Sequence, residues 1–177
     1  MNKFVKLPLF LGVCGAICAG LLAFVNGATA GTIAQRLENE KNANYLALMG
    51  IESADQYKDG KVTDDLTKGY VTGIKEVYVD SNLVGVVYDG SLDDGFSVWT
   101  LQLGIKDGKF TGLKFSSPSP DGVGLPMITK FSSDIVGKTI DSSSADIAAG
   151  VSSASTNPML REYVDVCAAH YTATYAN

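Results

Sequence analysis

The longest apolar stretch of the chain comes first. No charged residue interrupts it between Lys6 and Arg36, and from Leu7 to Ala30 it reads LPLFLGVCGAICAGLLAFVNGATA. At about 1.5 Å per residue, that length crosses a hydrocarbon layer of about 30 Å and predicts a membrane-spanning helix. Both charges ahead of it, Lys3 and Lys6, are positive. Because basic flanks stay on the cytoplasmic side, the N-terminus is expected in the cytoplasm and the rest of the chain outside it, in a single-pass topology at the cell membrane. The rival reading is a cleaved signal peptide, since Ala28-Thr29-Ala30 before Gly31 has the small-residue form of a cleavage site. The apolar run exceeds the roughly 7–15 residues of a signal core, which favours the anchor. Gly12, Ala16 and Gly20 recur every four residues and would give the helix one smooth face for close approach of another helix, although small residues are common in such segments. Beyond the anchor, Ile33, Leu37, Tyr45 and Leu48, closed by Gly50, predict a second helical stretch with a polar middle.

Residues 51–72 are rich in Asp, Lys, Gly and Thr without periodicity and read as irregular connection. From Ile74 the pattern changes. IKEVYV and LVGVVY flank Asp80-Ser81-Asn82, and FSVWTLQLGI and FTGLKF flank Lys106-Asp107-Gly108-Lys109. Two β-rich runs joined by a short turn, twice over, predict two hairpins, and Asp-Gly between alternating runs is a strong hairpin signal. Four strands with short connections imply an antiparallel sheet that needs a covering layer.

That cover is expected from MITKFSSDIVG and NPMLREYVDVCAAHYTATY. Asn157 suits a helix cap and Pro158 the first helical position, after which Met159, Tyr163, Val166 and either Cys167 or His170 share a face. The fold class is α+β: an N-terminal transmembrane helix followed by an antiparallel sheet covered by helices. Three segments follow: cytoplasmic tip and anchor over 1–31, juxtamembrane helix and connection over 32–72, and one domain over 73–177. Two Gly/Ser/Pro-rich stretches, SSPSPDGVGLP and DSSSADIAAGVSSASTNP, are longer than turns require and stand where binding loops stand.

The formal net charge of -5 offers no basic stripe for nucleic acid. Cys14 and Cys18 fall within the apolar helix and Cys167 far away, so no disulfide framework is expected; lipid attachment at Cys18 is disfavoured by the bulky Ile17 before it. With His170 as the sole histidine, scattered carboxylates and no Cys/His cluster, hydrolase and metalloenzyme readings are weak.

The serial order of a short-turn sheet, a Gly-Val-Gly loop and Asp146-Ile147-Ala148-Ala149-Gly150-Val151-Ser152 entering a helix resembles the FMN-binding domain of the G subunit of Rnf electron-transport complexes. The C subunit of sodium-pumping NADH:quinone reductases carries a related domain. That family bears an Asp-x-x-Ser/Thr-Gly-Ala-Thr motif whose last Thr holds FMN by a phosphoester. Asp146 matches the Asp, Gly150 the Gly, and Ser152 the acceptor hydroxyl; Ala149 and Val151 stand where the family has Ser/Thr and Ala. Asp121-Gly122-Val123-Gly124 resembles the family's Pro-Gly-Leu-Gly loop against the flavin, without its Glu-Thr pair. In a second register, Ser152-Ser153-Ala154-Ser155 would make Ser155 the acceptor.

The resemblance implies FMN as cofactor, a flavin transferase and the other membrane subunits of the complex as partners, and the role of a redox subunit rather than a stand-alone enzyme. The residues suit those tasks. Ser152, Ser153 and Ser155 ahead of a helix could present backbone N–H groups to a phosphate. Val123, Leu125 and Met127 beside Gly122 and Gly124 could wall an isoalloxazine ring, with Trp99 stacked on it. Each element has a plainer reading: solvated loop, turn glycines, core tryptophan. The alternatives are a tethered binding or assembly module that has lost the flavin, and an extracellular flavin reductase component.

Overall fold

The computed structural model describes residues 3–93, 95, 98–116, 125–142, 144, 147 and 156–176. It is α+β. The element order is α1 (Lys3–Met49), β1 (Gln56–Asp59), α2 (Asp64–Lys68), β2 (Val71–Val79), β3 (Asn82–Asp93), β4 (Val98–Lys106), β5 (Lys109–Ser116), α3 (Leu125–Ile135) and α4 (Thr156–Tyr175). The chain divides into two compact units, Met1–Asn42 and Ala43–Asn177.

In the first unit, α1 is long and apolar enough to cross a membrane. Its large apolar side chains, Phe10, Leu11, Leu21, Leu22 and Phe24 among them, are exposed. A water-facing surface of that kind is unfavourable at about 25 cal/mol per Å², whereas lipid accepts it without cost. Thr29 turns its hydroxyl back onto the Val25 carbonyl at 2.8 Å, which satisfies a polar group within an apolar helix.

The second unit begins with the last turns of α1. Gly50 takes a left-handed φ of 65°, and the bonds Gly50 N→Ala47 O (3.4 Å) and Ile51 N→Leu46 O (3.1 Å) close the helix with the paired pattern of a Schellman end. The expected stop at Gly50 is therefore the observed one. The two expected helical stretches form one continuous element, because the polar middle over 36–44 keeps good helix formers such as Arg, Leu, Glu, Lys and Ala.

The sheet is a five-stranded antiparallel meander in the order β1-β2-β3-β4-β5. Both hairpin turns are two-residue turns with positive φ at each centre: Asp80 (49°) and Ser81 (63°), then Asp107 (51°) and Gly108 (68°). This is the turn geometry whose twist matches paired strands. The stretch 51–72, expected to be irregular, contains β1 and α2 instead. QYKD lacks alternation because β1 is an edge strand with mostly exposed side chains, held by its ladder to β2. At the other edge, β5 is partly covered by the turn after α3, through Phe110 N→Lys138 O (2.9 Å) and Gly137 N→Phe110 O (2.8 Å).

The sheet is covered on both faces. Over one lie α2, α3 and α4, enclosing Val86, Tyr88, Leu101, Leu103, Ile105, Phe131, Leu160 and Tyr163, all essentially inaccessible to solvent. Over the other lies the end of α1, where Tyr45, Leu48 and Met49 pack on Val77 and Val87. The helix α4 starts at Thr156, so Asn157 is inside it rather than its cap.

Candidate functional site

Of the residues singled out for a cofactor, Trp99 is the one whose side chain is described. It occupies the second position of β4, opposite Leu92 of β3, and is 6% exposed. Its ring meets Phe115 of β5 edge-on at 6.2 Å and 78°. Alternation puts Trp99 on the same face as Leu101 and Leu103, so it belongs to the core, as its plainer reading held. Its indole Nε1–H is nevertheless buried without an acceptor among the described residues. A buried donor left unpaired costs about 1–3 kcal/mol; it is the one feature of this ring that core packing does not explain. Leu125 is the first residue of α3. Gly122, Val123, Gly124, Asp146, Gly150, Val151, Ser152, Ser153 and Ser155 lie outside the described residues.

The root of the second loop is described at Ser144 and Ile147. Ile147 is fully buried in the main core, and Ser144 is nearly so. Ile147 N donates to Ser144 O at 3.1 Å. Arg161 of α4 grips it, with one guanidinium nitrogen donating to Ser144 O and the other to Ile147 O at 2.9 Å. One turn further along α4, Asp165 accepts from Ser144 Oγ at 2.8 Å. Arg161 and Asp165 escaped the sequence reading. The available signal was that Arg161 is the sole Lys or Arg in α4, next to a loop with many carbonyls to satisfy.

A groove of about 560 Å³ runs beside α4, lined in part by Asp141, Ser142, Asp165 and Thr172. Two carboxylates on its wall oppose a phosphate by like charge, so this groove does not suit a phosphate-bearing cofactor.

Two polar networks lie inside the domain. Beneath α4, Tyr88 and His170 share a 2.9 Å hydrogen bond through Nδ1, while Tyr175 and Tyr78 donate to the two oxygens of Glu76 at 2.8 and 2.7 Å. Burial pushes the Tyr88 phenol far up and the His170 imidazole down. The phenol and the imidazole satisfy each other across this bond. Burial, with Glu76 second, likewise raises Tyr175. On the opposite face, Tyr45 donates to Asp89 Oδ2 at 2.8 Å and Gln102 Nε2 to Asp89 Oδ1 at 3.0 Å. Burial first, then the Asp89 charge, raises the Tyr45 phenol. Among the described residues, no group of three or more His, Cys, Asp or Glu side chains could hold a metal ion.

Neither family models nor curated proteins gave a match to this chain.

Proposed function

We propose that the protein is a membrane-anchored flavoprotein electron carrier. In this reading its N-terminus is cytoplasmic, and its main domain, outside the cytoplasm, holds FMN as a phosphoester near Ser152. It serves as one subunit of an Rnf-type ion-translocating electron-transport complex. The observation that carries the reading is the serial order of parts: an apolar helix, an antiparallel meander, the Gly122-Val123-Gly124 stretch, then Asp146 to Ser152 leading into a helix. Support from the fold is specific to one corner. Trp99 and Phe115 stand at the start of β4 and the end of β5, and the Trp99 N–H, without an acceptor among the described residues, is a donor that a ligand acceptor would satisfy.

FMN, when bound, supplies one- and two-electron transfer, and the protein contributes position, burial and hydrogen bonding. Ser152 offers the hydroxyl that carries the phosphate. The neighbouring backbone, freed of bulk at Gly150, is suited to N–H contacts with that phosphate. Electrons pass to and from other membrane subunits.

The test is co-expression of the full chain with a flavin transferase, followed by denaturation and acid precipitation. The expected result is yellow fluorescence in the pellet and a flavin adduct in the intact mass, lost in Ser152→Ala and kept in Ser155→Ala. A colourless pellet with no adduct sinks the proposal.

A second reading has its own observation. Ala149, Val151 and Ser152 depart from the family motif at three positions, as a tethered binding or assembly module that no longer carries flavin would show. The same colourless pellet is what that reading expects.

A further inference from the structure

The groove beside α4, about 560 Å³ in volume, is lined wholly by described residues. Its α4 wall is made by Asp165, Ala168, Ala169, Thr172 and Ala173. These positions recur at intervals of three and four and therefore share one face of the helix. Apart from Asp165, every side chain in that row is small, and the missing bulk is what opens the groove. From Asp165 to Ala173 the row runs about 12 Å, at about 1.5 Å per residue. Ile140, Asp141 and Ser142 complete the lining. The volume falls within the range of small-molecule sites, about 300–1,000 Å³.

Two carboxylates without a counter-ion stand on these walls. Asp165 accepts from Ser144 Oγ through Oδ2 at 2.8 Å, and Asp141 is exposed. Elsewhere in the domain, Asp65, Asp59 and Asp134 each take a lysine partner; among the described residues, neither Asp141 nor Asp165 has one. Arg161, the sole basic residue of α4, spends its guanidinium on the Ser144 and Ile147 carbonyls. Charges of one sign on the low-dielectric walls of a cleft focus their field into it and draw in the opposite sign.

We propose that the groove binds a small aliphatic diammonium ion, with one ammonium group at Asp141, the other at Asp165, and the methylene stem against the alanines of α4. Each ammonium and carboxylate satisfy each other through charge-assisted hydrogen bonds, and the stem displaces water from apolar surface. The site does not depend on whether the chain carries flavin.

The experiment is a titration of the full chain, in zwitterionic detergent, with butane-1,4-diammonium chloride. It is read from the backbone amide resonances of Ala169 and Thr172, with Leu103 in β4 as control. A saturable shift at both α4 amides and none at Leu103 is expected, with a dissociation constant of about 1 mM. Asp141→Asn and Asp165→Asn each weaken binding about fivefold, as loss of a partly exposed ion pair does; an Asn at position 165 still accepts the Ser144 hydroxyl. Ala169→Phe, at an exposed helix position, fills the groove and abolishes the shift at Thr172. Butane-1,4-diol, with the same stem and no charge, binds more than about tenfold more weakly. No saturable shift in the unaltered protein overturns the proposal. So does a diol that binds as well as the diammonium ion, or a shift that survives Ala169→Phe or both Asp→Asn changes together, because the ligand would then be held without charge or seated elsewhere.

Discussion

Toward α2, α3 and α4 the sheet presents Tyr88, Leu92, Trp99, Leu101 and Leu103; beneath the end of α1 it presents Gly85, Gly104 and Gly112. On the first face, large side chains interdigitate, with one close approach at Gly90, where an added methyl would lie 2.5 Å from the Tyr163 ring of α4. On the second, three positions lack side chains, so that Leu48 and Met49, packed on Val77 and Val87, also come close to the sheet backbone. A methyl added at Gly85 would lie 2.5 Å from Met49 Sδ and 2.8 Å from the Ile105 carbonyl, and one at Gly112 3.1 Å from Leu48 Cδ2. The Tyr45–Asp89–Gln102 hydrogen bonds complete this contact. The first face is thus built mainly by filling volume, and the second depends more on close approach at three glycines. Truncation is expected to be the characteristic damage on the first, and addition at a glycine on the second, with Gly90 the place on the first where addition also collides.

The largest effect is expected from Phe131→Ala. Phe131, in α3, is wholly buried, and its loss should cost about 3–5 kcal/mol, measured by denaturant unfolding of detergent-solubilised protein followed through Trp99 fluorescence. Next is Gly85→Ala, where one added methyl meets a backbone carbonyl that cannot swing away; about 1–3 kcal/mol is expected in the same assay. A Gly85→Ala protein as stable as the parent would show that the α1 contact is loose and the contrast false. Tyr45→Phe removes the phenol from Asp89, which keeps Gln102, and about 1 kcal/mol is expected. If it costs as much as Phe131→Ala, polar bonds and not close approach hold that face.

The smallest effect is a pH dependence. Burial lowers the folded-state pKa of His170 below its unfolded value, so between the two values the unfolded chain binds more protons. Stability from this site is complete above about pH 6.5 and is lost as pH falls from there through the folded value. The His170 ring resonances should titrate below the ordinary histidine value, because burial disfavours the charged ring. A normal titration in the parent protein would remove His170 from the α4 face.

What could be read from the sequence follows from how local each feature is. The two hairpins were legible because Asp80-Ser81 and Asp107-Gly108 impose their own backbone geometry between alternating runs. The close of α1 was legible because Gly50 alone suits its left-handed position. β1 was not, since QYKD is defined by its ladder to β2, and an edge strand exposed to solvent leaves no apolar alternation. The glycines of the second face were also silent: Gly85, Gly104 and Gly112 look like flaws in strands until a helix is set against them. For the candidate site, the sequence offered Trp99 and the loop residues, whereas the grip of Arg161 on two carbonyls is a tertiary contact that residue types do not announce.

The two edges of the sheet carry a further consequence. β1 is four residues long, with Lys58 and Asp59 on it and an ion pair from Lys75 to Asp59 at 2.6 Å. The start of β5 is already bonded to Gly137 and Lys138. Short, charged or occupied edges give a passing strand little to pair with. The short, charged β1 and the occupied start of β5 therefore leave strand addition fewer places than two open edges would.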